Sequence, residues 1–152
     1  MQDGVLIIDK PTGLSSARVV AKVKKLLAAK KVGHAGTLDP FATGVLVCLV
    51  NQSTRLARFL LAGEKQYEAE LSLGADTDTQ DHTGQVVNRR PVPVFSGEDL
   101  ERVFTRFVGW SEQLPPAYSA LKHQGVALYK LARRGQAVQK PARRIQINRL
   151  EI

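Results

Sequence analysis

The chain has 152 residues and an ordinary hydrophobic content of 43%, which predicts one folded domain with a buried core and excludes disorder throughout. Its formal net charge of +8 predicts a polyanionic partner, either nucleic acid or a membrane surface. No apolar run approaches the ~20 residues that a membrane-spanning helix needs, and residues 5–8 are too few for a signal peptide. We therefore expect a cytoplasmic protein with no membrane partner.

The first elements are a strand and a basic helix. Residues 4–9 read as a buried strand, and residues 10–13 form a turn that presents the Lys10 ammonium. Ser15 or Ser16 can cap a helix that continues to about residue 29. The apolar side chains of this helix form one stripe: Val19, Val20, Val23, Leu26 and Leu27. Its cations lie on the outward side, where they can meet phosphate: Arg18, Lys22 and Lys25.

Residues 33–44 contain three glycines and a proline, so we expect an irregular loop. Pro40 disfavours the helical region for Asp39, and Gly36 and Gly44 let the backbone pass close to a bound group. A carboxylate fixed in this way can act as a nucleophile. The alternative is an ordinary Asp-Pro turn in which the Asp39 side chain caps backbone amides.

A second strand and a short helix follow the loop. Residues 45–50 are strand-like, and the single cysteine, Cys48, is expected in the core. Ser53 can cap a short helix whose apolar residues face inward: Leu56, Phe59 and Leu60. Residues 65–73 alternate between polar and apolar side chains, which predicts a strand with Tyr67 at the start of its buried face.

The middle of the chain carries an acidic loop and a scaffold helix. Residues 74–84 are rich in Asp and Thr but lack the glycine and glutamate of a calcium loop, so we predict local hydrogen bonds and no metal. Ser96 and Asp99 form a capping-box pattern before a helix without chemistry of its own. Trp110 is expected to pack against the core rather than to serve as a platform for a base.

The last third is basic. No acidic residue lies between Glu112 and Glu151, an interval with eight Lys and Arg residues. Residues 113–125 are irregular by composition, 126–134 predict a short helix closed by Gly135, and 144–152 predict a strand with a bulge near residue 148.

The string Gly-His-x-Gly-Thr-Leu-Asp-Pro-x-Ala-x-Gly-Val-Leu at residues 33–46 resembles the catalytic motif of the bacterial tRNA pseudouridine-55 synthases, the TruB family. The resemblance implies an α+β fold of the pseudouridine-synthase type, with a mixed, mainly antiparallel sheet flanked by helices and incomplete at its C-terminal side. It also implies a nucleophilic role for Asp39. Substrate-binding or supporting roles follow for five further residues: His34, which displaces or holds the base, Tyr67, which stacks on it, Lys10, Pro11 and Thr37.

The resemblance further assigns residues 1–152 to the N-terminal part of the catalytic domain, with 115–144 as an insertion that grips tRNA and orders on binding. Four side chains are its RNA-binding candidates: Tyr118, Lys122, Arg133 and Arg134. Further catalytic strands, an arginine that pairs with the nucleophile, and a C-terminal RNA-binding domain are expected to be missing. The isolated chain is therefore expected to be weakly active or inactive.

The implied activity is isomerisation of uridine 55 in the T-loop of tRNA, through base flipping and without a metal or redox cofactor. The tRNA T-arm is the expected partner, and no obligatory protein partner is expected. Two alternatives stay open. One is a basic RNA-binding or RNA-folding module in which Asp39 has no chemical role, and the other is a pseudouridine synthase for another RNA.

Overall fold

The computed structural model describes residues 2–152, and its internal contacts divide the chain between Glu68 and Ala69 into two compact units. These residues form four helices, a 3-10 helix and nine strands, and every strand pairing is antiparallel. The expected α+β class is confirmed. No helix in this part of the chain is long and apolar enough to cross a membrane.

The first unit is organised around a three-stranded sheet. Its strands are β1 (Gly4–Lys10), β2 (Val32–His34) and β3 (Gly44–Val50), in the order β1-β3-β2. The register places Gly4 opposite Val50 and Lys10 opposite Gly44. The end of β1 therefore lies beside the point where the glycine-rich loop enters β3.

Helix α1 (Ser16–Leu26) begins at the predicted cap, where the Ser15 side chain accepts a hydrogen bond from the Arg18 amide. Half of its predicted stripe is buried, because Val19 and Val23 pack with Leu46 and Cys48 of β3. The other end of the stripe is exposed, with Leu26 84% accessible. The helix ends earlier than predicted, and Ala28 then takes a positive φ of 46°.

Three expectations for the first unit are wrong. Strand β1 is not buried on both sides, since Val5 and Ile7 are exposed. A 3-10 helix (Asn51–Leu56) precedes the short helix α2 (Ala57–Leu61), and the residues expected to face inward are exposed: Leu56, Phe59 and Leu60. Residues 65–73 form no strand, because no strand among residues 2–152 pairs with them and an unpaired segment has no ladder hydrogen bonds.

The second unit contains three two-stranded sheets. The first sheet pairs β4 (Ala75–Thr77) with β5 (Val86–Arg89). The second pairs β6 (Gly109–Gln113) with the last strand, β9 (Arg143–Ile147), and a small hairpin joins β7 (Lys122–His123) to β8 (Val126–Ala127). Helices α3 (Gly97–Thr105) and α4 (Leu128–Ala132) complete the unit.

Local signals predicted the helices of this unit well. The capping box at the start of α3 is confirmed, with reciprocal bonds between the side chains and amides of Ser96 and Asp99. Gly135 follows α4 with a φ of +74°. Strand β9 ends at Ile147, because its partner β6 begins at Gly109 and leaves nothing to pair with later residues. The strand predicted over 144–152 is therefore shorter and has no bulge.

Candidate active site and nucleic-acid surface

The loop between β2 and β3 is fixed by the turn between β1 and α1. The Ser16 hydroxyl is buried, donates to the Leu38 carbonyl at 3.1 Å and accepts from the Leu38 amide at 2.9 Å. Both backbone groups of the residue before Asp39 are therefore satisfied by one side chain.

The residues after Asp39 are fixed by the same turn. The Gly13 amide donates to the Pro40 carbonyl at 2.7 Å, and the Thr12 hydroxyl donates to the Phe41 carbonyl at 3.0 Å. Gly13 has a φ of +79°, which glycine adopts without strain. Asp39 is thus bracketed on both sides by hydrogen-bonded backbone.

Lys10 is fully buried, and its ammonium donates to the carbonyls of Leu14 at 2.8 Å, Pro11 at 3.0 Å and Pro40 at 3.5 Å. The expectation that this turn presents an ammonium to solvent is wrong. The reason is geometric, because β1 ends at Lys10 and the chain then folds back over its side chain. The ammonium links the turn to the loop that carries Asp39, whereas Pro11 itself is exposed.

The Asp39 side chain is exposed and forms no hydrogen bond or ion pair within residues 2–152. Its backbone carbonyl accepts from the Ala42 amide at 3.1 Å, which closes the expected turn. The carboxylate itself caps no amide, so the alternative of a capping side chain is wrong. A free carboxylate on a clamped backbone can attack a ligand that enters the loop.

His34 ends β2 and lies half-buried at the start of the loop, where its Nδ1 forms a hydrogen bond with the Gly36 carbonyl. A carbonyl only accepts, so Nδ1 carries the proton and a neutral His34 has its acceptor at Nε2. Thr37 is exposed in the same loop. The structure thus brings His34, Thr37 and Asp39 together on one loop.

Tyr67 lies in the segment that forms no strand, and 71% of its surface is exposed. The buried face expected here is therefore wrong. Its hydroxyl has no hydrogen bond among the described residues. The role of Tyr67 as a base-stacking residue stays a prediction.

The outward side of α1 is a continuous cationic surface. Four of its residues are exposed and form no ion pair within residues 2–152: Arg18, Lys22, Lys24 and Lys25. A cleft of about 420 Å³ in the same unit carries three more cations, Lys30, Lys31 and Arg55, with Asp3 and three uncharged polar residues completing its lining. Such unpaired cations suit a polyanion.

The candidate RNA-binding residues of the second unit lie around the β7–β8 hairpin and α4. Lys122, Arg133 and Arg134 are exposed, and Tyr118 is half-buried. The Arg133 guanidinium lies over the Tyr129 ring, 5.6 Å from its centroid.

Two polar features of this region were not predicted from the sequence. The Lys140 ammonium donates to His123 Nδ1 at 3.2 Å, a pairing across 17 residues that no local pattern indicates. The Ser119 hydroxyl is buried without a hydrogen-bond partner among the described residues.

The acidic loop closes on itself. The Asp81 carboxylate accepts from the Thr79 hydroxyl and the Thr83 amide, each at 2.8 Å, as local side-chain bonding predicted. Burial raises the pKa of Asp81, but the bonds from Thr83 and Thr79 outweigh it and lower that pKa overall. No group of three or more possible metal ligands occurs in residues 2–152.

The first unit therefore combines a loop fixed by hydrogen bonds, which presents a free carboxylate, with exposed cations that form no ion pair within residues 2–152. The sequence model described as the TruB family pseudouridylate synthase N-terminal domain matches residues 24–152. The chain belongs to this family.

Curated relatives are of the same kind. The chain is 48% identical over 149 residues to the tRNA pseudouridine synthase B of Desulfotalea psychrophila, covering 97% of this chain and 61% of that protein. It is 50% identical over 145 residues to the protein of that name from Geobacter sulfurreducens, covering 95% and 48%. The chain thus spans between about half and three-fifths of the length of these relatives.

A solved structure supports the fold. A chain in the crystal structure of a Cbf5-Nop10-Gar1 complex superimposes with a TM-score of 0.52 and 29% sequence identity. The match covers 78% of this chain and 31% of that one.

Proposed function

We propose that this chain supplies the nucleophile-bearing part of a tRNA pseudouridine synthase that isomerises uridine 55 in the T-loop. The observation that carries the proposal is the free Asp39 carboxylate between the clamped residues Leu38 and Pro40. Membership of the family and relatives named tRNA pseudouridine synthase B support it.

The reaction breaks the glycosidic C–N bond of the uridine and forms a C–C bond within the same nucleotide. Asp39 attacks the ribose or the base, and the fixed backbone on both sides limits the positions that its carboxylate can take. The target must first leave its stack, which costs about a few kcal/mol. His34, with Nε2 available, is placed on the same loop to hold or displace the base, and Tyr67 is assigned to stack on it.

The tRNA is held mainly through its phosphates. The first unit offers the unpaired cations of α1, and the second unit offers the exposed Lys122, Arg133 and Arg134. We assign residues 115–144 to the insertion that grips the T-arm, with Tyr118 as its aromatic contact. Lys10 acts on this site indirectly, because its ammonium positions the loop.

The test is release of tritium from tRNA that carries 5-tritiated uridine, under single-turnover conditions. The original chain is compared with Asp39→Asn and with Asp9→Asn, which neutralises an exposed carboxylate of β1. The proposal expects release that Asp39→Asn abolishes and Asp9→Asn leaves unchanged. Equal release by the Asp39→Asn chain contradicts it.

If neither chain releases tritium, both are extended with the remaining part of the Desulfotalea psychrophila relative and measured again. Asp39-dependent release then supports the proposal, and continued absence of release contradicts it. A tRNA with cytidine at position 55 tests which uridine is modified. If this tRNA still releases tritium, the chain is a synthase for another position or another RNA.

An RNA-binding module is the second candidate, favoured by the unpaired cations on both units. It predicts that Arg133→Gln with Arg134→Gln weakens tRNA binding while Asp39→Asn changes neither binding nor any RNA-dependent activity. The synthase also requires the cations for binding, so the tritium assay with Asp39→Asn separates the two functions.

A further inference from the structure

The single tryptophan of the chain is exposed, and an arginine from the neighbouring strand lies over its ring. Trp110 lies on β6 with 59% of its surface accessible, so the expectation that it packs against the core is wrong. The guanidinium of Arg144, on the partner strand β9, lies over the indole with its Cζ 4.3 Å from the ring centroid. This distance is well within the range of cation–π contacts.

The two faces of the β6–β9 ribbon differ. Alternation and register place four exposed residues on one face: Trp110, Glu112, Arg144 and Gln146. The other face carries all the half-buried residues of the ribbon, Gly109, Ser111, Ile145 and Ile147, and at its end the exposed pair Gln113 and Arg143. Trp110 therefore belongs to the solvent face, and the packing of this ribbon does not explain why a large aromatic ring stands there.

Arg144 is directed to the ring and not to a carboxylate. Glu112 lies directly opposite Arg144 in the register, yet the two form no ion pair, and the guanidinium reaches diagonally to Trp110. The other two cation–π pairs in residues 2–152 are local, between neighbours or within one helical turn: Arg58 with Phe59, and Arg133 with Tyr129. Among residues 2–152, the Trp110–Arg144 pair alone joins two strands, so the strand register fixes the position of the guanidinium relative to the ring.

We propose that the Trp110–Arg144 pair is a stacking platform for an unpaired base of RNA, an inference that rests on the proposed function for its RNA partner. The base stacks on the ring face that Arg144 leaves open, and the guanidinium meets an adjacent phosphate. Such stacking accepts any base, because each has a π-face. The platform therefore adds affinity without sequence specificity.

Charge and composition favour RNA over a protein partner. Glu112 is the one carboxylate on the exposed face of the ribbon, no acidic residue follows it in the sequence until Glu151, and the net charge of the chain is +8. The exposed face of the ribbon offers no aliphatic side chain that could anchor a protein interface. A ring with a fixed cation beside it matches a base and its phosphate.

Because Trp110 is the only tryptophan, the tryptophan fluorescence of the whole chain, excited at wavelengths that the three tyrosines do not absorb, reports on this platform alone. The chain is titrated with a short single-stranded oligoadenylate and, separately, with heparin, a polyanion without bases. We expect the RNA to quench the fluorescence as it binds and heparin to bind without comparable quenching. RNA binding without quenching, or equal quenching by heparin, overturns the platform.

Two variants measure its contribution through the affinity for a labelled oligoadenylate. Trp110→Leu is expected to lower the affinity about tenfold, and Arg144→Lys, which keeps the charge but not the planar fork, is expected to lower it less. Phe59→Leu is the matched control, since Phe59 is 63% exposed beside Arg58 and is expected to leave the affinity unchanged. An unchanged affinity in Trp110→Leu overturns the inference.

Failure of the platform and failure of the proposed function give different results. A chain that binds oligoadenylate and tRNA with unaltered Trp110 fluorescence refutes only the platform. Loss of Asp39 dependence in the tritium assay refutes the synthase and leaves the quenching result unaffected. A chain that binds neither RNA is extended with the remaining part of the Desulfotalea psychrophila relative and measured again, and binding of neither RNA by the extended chain contradicts both.

Discussion

Ser16 and Leu38, 22 residues apart in sequence, are joined by two hydrogen bonds through one hydroxyl. Ser16 is the first residue of α1, and Leu38 directly precedes Asp39. The start of the cationic helix is therefore linked directly to the loop that carries the free carboxylate. A substitution at Ser16 should alter the position of Asp39 although the two side chains are not in hydrogen-bond contact.

Ser16→Ala is expected to destabilise the chain by about 1–3 kcal/mol, because it leaves both backbone groups of Leu38 without their buried partner. Urea unfolding measures the loss, and hydrogen exchange is expected to accelerate at the Leu38 amide. Ser15→Ala is the control, since it removes the cap of the same helix but not the bonds to Leu38. Equal protection of the Leu38 amide in both variants would show that the bonds to Ser16 do not fix the loop.

Lys10→Met is expected to destabilise the chain by a similar amount, about 1–3 kcal/mol, because the carbonyls of Leu14 and Pro11 lose a charged donor in a buried position. Urea unfolding again measures the change. Lys65→Met is the control, since that ammonium also bonds two carbonyls but lies at the surface, where water can replace it. A Lys10→Met chain as stable as the original would contradict the role given to the buried ammonium.

Sequence reasoning succeeded where the signal is local. Ser15 and Ser96 marked two helix starts because a cap bonds amides only a few residues away. The apolar runs of β1 and β3 predicted both strands, and the buried Cys48 lies in β3 as expected. The complete string around Asp39 identified the loop that the hydrogen bonds of the turn before α1 fix in place.

It failed where the outcome depends on distant partners. The alternation of residues 65–73 is real, but a strand also needs a neighbour, and none pairs with it in residues 2–152. The turn after β1 was predicted to present the Lys10 ammonium, yet it folds over the side chain and buries it. Composition could not say which face of its ribbon Trp110 occupies, because the register between β6 and β9 decides it.

Lowering the pH should reduce the stability that the acidic loop gains from the hydrogen bonds of the Asp81 carboxylate. The lowered pKa of Asp81 means that its bonds contribute stability above the pH where the unfolded carboxyl titrates, about 4. This contribution is lost as the pH falls through the lower pKa of the folded state. Asp81→Asn is therefore expected to cost about 1 kcal/mol or less at pH 7, since the group is well solvated.

At pH values below the lowered pKa of the folded state, the difference between Asp81→Asn and the original chain is expected to shrink, because both are then uncharged at this position. Urea unfolding at pH 7 and at low pH measures it. Glu70→Gln, at an exposed position, is the control. A stability difference for Asp81→Asn that grows towards acid pH would contradict the assignment.

The cationic side of α1 predicts a specific salt dependence of tRNA binding. Lys22 and Lys25 are exposed and form no ion pair in the part of the chain that the structure describes. Each cation that contacts a phosphate releases counterions, so the binding constant falls as salt rises. The plot of its logarithm against log salt is therefore expected to become less steep by about 0.7–0.9 for each cation removed. The double variant Lys22→Gln with Lys25→Gln should therefore reduce the slope by about 1.5.

A control double variant distinguishes the effect of the α1 cations from the effect of total net charge. Arg102 and Arg149 are exposed too, but each already pairs with a carboxylate, Asp99 and Glu151 respectively. Arg102→Gln with Arg149→Gln removes the same charge and is expected to change the slope little, because these cations are already neutralised by their partners. Equal slopes for the two double variants would mean that tRNA responds to the total charge of the chain, and α1 would then have no special place in binding.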